Sequence, residues 1–294
     1  MKIKDLIFKI NSLNYKEVLE YCIEKANKKG EKSFIVTINP EIIMLAKSDY
    51  EYERVLKSAD LALADGVGVV WAVKLFGKSF KGRVHGVDLV ESLCRGVSKQ
   101  PITVGFLGGY GNVAQRTAEC LVKKYPGLKV AFAVEEWDFA RGPATRFPPA
   151  SAHSRFTDSA LSGNPSTPVT PRKEFINHKS PASPDASPAS PSPSQGGQGG
   201  LIINHQSCNI LFVAFGSPKQ EEWISQNLQK IDVRVAIGVG GAFDFISGKV
   251  ARAPLWIRNL GLEWLFRLIR QPWRAKRQIA LVKFVFLVIK EKLF

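Results

Sequence analysis

"ADLALADGVGVVWAV", residues 59–73, decides how the chain is read. Its first part, Ala59 to Ala64, is an apolar run of strand length. Gly66 and Gly68 then permit a tight turn, and Val67 to Leu75 continues apolar over a helical extent. Asp65 stands at the joint, past a buried strand and just ahead of a helix N-terminus. In open α/β sheets ligands bind at that place, outside the carboxyl ends of the strands. Two roles compete for the carboxylate. As a helix cap it accepts hydrogen bonds from first-turn amides. As a general base it faces a cleft and takes a proton. Taken by itself the stretch favours the cap, because Asp ahead of a glycine-rich helix start is common.

The same alternation repeats on both sides. Asn14 with Glu17 predicts a capping box, and Val18, Leu19, Cys22, Ile23 and Ala26 recur at helical spacing until Gly30. "SFIVTIN", Ser33 to Asn39, reads as a buried strand ending in Thr37 and Asn39, with Pro40 opening the next helix, where its missing N–H costs nothing. A short helical piece around Val55 leads back to the opening stretch. Beyond it, Gly86 to Val97 reads as a helix, Ile102 to Gly109 as a strand and glycine turn, and the next helix runs to about Lys124 before the strand "LKVAFAV". Asn209 to Gly216 is a further strand, and "SPKQEEW" predicts a helix with Ser217 as N-cap, Pro218 at its first position and Gln220 closing a capping box. "VRVAIGVGGAFD" supplies the last strand and glycine turn. Strands alternating with helices predict an α/β fold, a parallel sheet with helices on both faces.

Two segments depart from that rhythm. Residues 141–200 are dense in Pro, Ser, Ala and Gly and lack aliphatic periodicity, so they read as a disordered low-complexity insertion. The core is therefore expected over 1–140 and 201–246. Residues 247–294 form a helical, basic C-terminal appendage, with Arg252, Arg258, Arg267, Arg270, Arg274 and Arg277 set among Trp256, Trp264, Phe266 and Trp273. In its last part Ile279, Val282, Phe286, Ile289 and Leu293 fall on one helical stripe, widened by Phe284 and Leu287. Lysines interrupt the run, which suits a helix lying in a membrane interface better than one crossing it.

The net charge of +15 favours anionic partners. Cys22, Cys94, Cys120 and Cys208 lack zinc or disulfide spacing and read as buried thiols of a reducing compartment. The N-terminus has no continuous apolar core of a signal peptide, and no apolar run reaches the ~20 residues of a membrane span. A cytoplasmic protein is expected. Glycine turns end strands at Gly66 and Gly68, at Gly108 and Gly109, and at Gly238, Gly240 and Gly241, which together suit a nucleotide. Neither "GVGVVW" nor "GVGGAF" completes a dinucleotide fingerprint, and no P-loop occurs, so a nicotinamide dehydrogenase is disfavoured. No Asp-x-Asp pair stands ready to hold a metal on a diphosphate, leaving arginine as the candidate counter-charge. A solvated basic face is the bland alternative for those arginines. The interleaved Trp and Phe argue against it and for anionic headgroups, and no nucleic-acid motif is present.

"TINPEIIMLA", "ADLALADGVGVVWA", "GRVHGVDLVESL", "FGSPKQEEWI" and the stretch from "GVGGAFDF" to "RAKRQ" together resemble the WecG/TagA/CpsF glycosyltransferases, from about Thr37 to Arg277. The resemblance implies a Rossmann-like core and an inverting, metal-independent transferase without cofactor. It implies transfer of an N-acetylmannosamine-type sugar from a UDP donor to N-acetylglucosaminyl-diphospho-undecaprenol. It also implies an appendage that docks on the inner face of the membrane and completes the active site. On that reading Asp65 is the base, Thr37 and Asn39 orient the acceptor, and Arg83 neutralises diphosphate charge. Gly108, Gly109, Gly216, Gln220 and Asp244 line the nucleotide side, while Arg252, Arg267, Arg270 and Arg274 lie over the lipid diphosphate. A homo-oligomer is compatible with it. The insertion is foreign to the family pattern, and Asn209 stands where Asp is frequent. The competing class is a non-catalytic protein that binds anionic lipid or nucleic acid through the same tail.

Overall fold

The apolar runs become a six-stranded sheet. In the computed structural model, which describes residues 2–136, 207–272 and 275–294, the strands are β1 (Ser33–Ile38), β2 (Leu61–Ala64), β3 (Thr103–Gly108), β4 (Lys129–Val134), β5 (Cys208–Ala214) and β6 (Val233–Gly238). Their order is β2-β1-β6-β5-β3-β4, and every neighbouring pair is parallel. The pairings Ile38 with Ala64, Val36 with Gly238, and Gly108 with Ala214 bring the carboxyl ends to one edge.

Helices cover both faces, as near-continuously apolar parallel strands require. On one face α1 (Ile3–Lys9), α3 (Pro40–Ser48), α4 (Tyr50–Ser58), α5 (Val67–Leu75) and α8 (Lys219–Asn227) pack on Val36, Ile38, Ala62 and Val213. On the other, α2 (Tyr15–Asn27), α6 (Gly86–Val97), α7 (Val113–Lys124) and α9 (Ala242–Ile246) pack on Ile35, Leu63, Phe106 and Ile237. The alternation of strand residues between the two cores is the period-two rule at work. This is the doubly wound, Rossmann-like arrangement that the motifs imply. Local chemistry sets several helix starts. Asn14 Oδ1 accepts from the Glu17 amide at 2.9 Å while Glu17 caps Asn14 in return at 2.7 Å, and Asn39 Oδ1 accepts from the Ile42 amide at 3.0 Å.

The appendage comprises α10 (Leu255–Asn259), α11 (Glu263–Arg270) and α12 (Ala275–Leu293), and it is more intimate with the sheet than its composition predicts. α12 buries Phe284 and Val288 in the first core, beside α1, α3 and α5. Its Glu291 carboxylate accepts the Ile3 and Lys4 amides at 2.9 and 3.0 Å, capping α1 from the far end of the chain. Phe284 thus faces inward instead of widening the stripe, while Ile279, Val282, Phe286, Ile289 and Leu293 remain exposed. Gly261, between α10 and α11, has φ +75° and lies so close to α5 that a Cβ there would collide with Val67. Among the cysteines, Cys120 is exposed where a buried thiol was expected; Cys22, Cys94 and Cys208 are buried. Asn209 accepts from both the amide and hydroxyl of Thr103 and donates to the Ala26 carbonyl, tying β5 to β3 and α2.

Candidate active site

The turns after β1, β2, β5 and β6 enclose a cleft of about 310 Å³ at the carboxyl edge, closed on one side by α11. Thr37, Asn39, Asp65, Arg83, Gly216, Gln220, Arg252 and Arg267 all line it. Eight of the expected site residues, scattered from β1 to α11, are therefore brought together.

Thr37 is the last residue but one of β1, and its hydroxyl donates to the Gly238 carbonyl at 3.0 Å, which clamps β1 to β6 beneath the cleft. Asn39 is the N-cap of α3, so one side chain fixes the helix start and faces the cleft. The Asp65 amide donates to the Ile38 carbonyl at 2.7 Å, extending the β1–β2 pairing by one residue. The N-cap of α5 is Gly66, at φ +85°, and no side chain caps that helix. The cap role weighed for Asp65 is thus vacant: the glycine's left-handed conformation carries the chain into the helix and frees the carboxylate. Asp65 Oδ1 instead lies 2.8 Å from His85 Nδ1.

Across the cleft, Gln220 accepts from the Gly240 amide at 2.9 Å and donates to Glu221 at 2.7 Å. Glu221 is buried and also receives the Ser217 hydroxyl at 2.9 Å and the Tyr52 hydroxyl at 3.0 Å. Burial pushes its carboxyl above the ordinary Glu range, against the pull of those donors. The capping box expected at Ser217 and Gln220 does not form. α8 starts at Lys219 without a side-chain cap, because both side chains turn to Glu221.

The arginines divide. Arg83 donates to the Arg258 carbonyl at 3.3 Å, linking the cleft to the end of α10. Arg252 grips Asp88 with two bonds of 2.6 and 2.8 Å and reaches Glu263 at 3.4 Å. Burial works to raise the Asp88 carboxyl, but Arg252 outweighs it and holds the group below the ordinary Asp range. Arg267 lies 4.6 Å over the Phe245 ring and beside Gly241. Arg270 is exposed over Phe266 and does not line the cleft. Gly108 and Gly109 sit at the end of β3, and Asp244 on α9 faces Lys249 at 3.9 Å; none of the three lines the cleft. Arg274 lies outside the described residues. Motif reading passed over His85, Glu221 and Tyr52. His85 lies within "GRVHG", where its place ahead of a helix start was the available signal.

Among the described residues no cluster of His, Cys, Asp and Glu could hold a metal ion, and no helix is long and apolar enough to cross a membrane. What the cleft offers is the Asp65 carboxylate in one lining with the guanidinium groups of Arg83, Arg252 and Arg267, over strand ends where α/β sheets bind ligands. That set of groups suits the transfer of a group away from an anionic leaving group, the chemistry of an α/β transferase. Sequence comparison supplies the group that is moved. The chain belongs to the glycosyl transferase WecG/TagA/CpsF family, whose model matches residues 3–144 and 201–294 and passes over the stretch between. It is similar to an N-acetylglucosaminyldiphosphoundecaprenol N-acetyl-beta-D-mannosaminyltransferase of Bacillus spizizenii, 30% identical over 260 residues that cover 88% of this chain and 80% of that protein. The Bacillus subtilis protein of the same name is 29% identical over 258 residues, covering 88% and 79%. One from Staphylococcus aureus is 25% identical over 267 residues, covering 91% and 84%. The protein is a glycosyltransferase.

Proposed function

We propose that the chain transfers an N-acetylmannosamine-type sugar from a UDP donor to N-acetylglucosaminyl-diphospho-undecaprenol, with inversion and without a metal. The observation that carries this reading is the meeting of Asp65 with Arg83 and Arg267 in one cleft. Asp65 takes the proton of the acceptor hydroxyl as its oxygen attacks the anomeric carbon from the side opposite the leaving UDP. Thr37 and Asn39 orient the acceptor sugar. Arg83 and Arg267 meet diphosphate oxygens, and their charge stabilises the leaving group. Arg252 acts chiefly by fastening the appendage to α6 through Asp88.

The lipid acceptor calls for a membrane face. Leu255, Trp256 and Ile269 are exposed on α10 and α11, and Ile279, Val282 and Phe286 on α12, amid a strongly basic segment. These residues support peripheral docking on the anionic inner face. The deciding experiment incubates the protein with a lipid-diphosphate-linked N-acetylglucosamine and a panel of UDP-sugars and follows UDP release. Acceptor-dependent release with UDP-N-acetylmannosamine is expected. Lipid binding without release from any UDP-sugar would overturn the reading in favour of a binding protein.

A further inference from the structure

His85 takes part in none of the steps above, yet its side chain is committed to the cleft. It occupies the N-cap position of α6, where Ser, Thr, Asp or Asn is favoured because such side chains reach first-turn amides. The imidazole caps nothing there. It turns to Asp65, with Nδ1 2.8 Å from Oδ1. A local rule broken at a cleft position points to a task other than helix stability. A carboxylate only accepts, so Nδ1 carries the hydrogen of this contact, and Nε2 is the ring nitrogen left over. That nitrogen is buried and makes no hydrogen bond among the described residues. Both residues line the cleft, but the ring nitrogen left over is buried, so the task of meeting an acceptor hydroxyl falls to Asp65.

We propose that His85 is the positioning residue for Asp65, pinning Oδ1 so that Oδ2 meets the acceptor hydroxyl in one orientation. The inference rests on the reading of Asp65 as the base. The terminal torsion of an Asp side chain is broad and roughly two-fold, so an untethered carboxylate samples many orientations. One hydrogen bond from a ring seated at the start of α6 removes that freedom before the substrate arrives. In the transfer step the acceptor oxygen bonds to the anomeric carbon. The bond from that carbon to the donor diphosphate breaks, and its electron pair leaves on the phosphate oxygen. The hydroxyl proton passes to Oδ2, while the Nδ1 proton stays on His85.

The test compares His85→Asn and His85→Phe in the full chain, with UDP-N-acetylmannosamine and the lipid-linked acceptor as probes. The Asn amide can place an N–H where Nδ1–H stands, whereas Phe keeps the ring's bulk and donates nothing. His85→Phe is expected to lower kcat by about 10²-fold, the scale of a small misplacement of a catalytic group, with KM for both substrates little changed. His85→Asn is expected to recover most of that loss. If Phe misfolds, judged by its melting curve, His85→Leu takes its place. Undiminished kcat in the Phe or Leu variant would reduce His85 to packing. An Asn variant as slow as Phe would also overturn the proposal, since it would require the second ring nitrogen. Asp65→Asn separates the layers: full turnover there sinks the base reading itself, while a dead Asp65→Asn beside an active His85→Phe sinks only the role of His85.

Discussion

Replacing Asp65 with Asn exchanges one oxygen for a nitrogen and removes the proton acceptor. Because Gly66 and not Asp65 is the N-cap of α5, the exchange touches no helix cap. We expect kcat to fall by roughly 10²–10⁴, the usual worth of a general base, with an unchanged melting temperature. A normal rate with a lowered melting temperature would return Asp65 to a structural role. The position of Asp65 was legible because an apolar strand run and glycines bracket it. Its release from capping was not, since that depends on the sign of one glycine φ. Gln220 shows the same limit: its spacing from Ser217 spells a capping box, but its partner is an amide twenty residues on, at Gly240. Short-range patterns carry no information about such partners.

At the scale of elements, the bond between Arg252 and Asp88 fastens the appendage to α6. The Asp88 carboxyl is held below its ordinary range, so the stability it contributes is present above its unfolded-state value of about 3.9 and is lost as pH falls through the lower folded value. Asp88→Asn is expected to cost about 1 kcal/mol at pH 7, a figure reduced for solvent screening because Asp88 is partly exposed. The gap in melting temperature between variant and wild type should begin to narrow below about pH 4 and close once the pH lies under the lowered folded value. A gap of constant size across the acid range would show that the charge on Asp88 is irrelevant. Most strands and long helices were legible as apolar runs or helical spacing. The two-sidedness of α12 was not, because it is apolar around much of its circumference. Periodicity cannot tell which of two apolar faces meets protein. The structure turns Phe284 and Val288, one helical turn apart, to the core and leaves Ile279, Val282 and Phe286 outside.

For the whole molecule, that division makes opposite predictions for neighbouring phenylalanines. Phe284→Ala should cost about 3–5 kcal/mol, as deletion of a buried ring does. Phe286→Ser should leave stability within about 0.5 kcal/mol, and together with Ile279→Ser and Val282→Ser it should release the protein from anionic vesicles in a sedimentation assay. Vesicle binding that survives all three changes would locate docking elsewhere. Truncation after Ser247 is expected to yield a destabilised chain, since it strips α12 from Ile3, Ile7 and Ile43. The interrupted family match gives a further test. Replacing residues 145–200 with a short Gly/Ser linker should preserve folding, because the flanking family residues remain to carry the chain from β4 across to β5. Loss of folding would show that the insertion belongs to the core.

The grip of Glu291 on α1 joins residues 288 positions apart. Closing so long a loop costs entropy before the contact returns anything, so this corner of the core is expected to form late in refolding. α12 completes the first core through Phe284 and Val288 and presents Ile279, Val282 and Phe286 on its other side. Whatever loosens that one helix therefore disturbs the interior and the outward apolar stripe together.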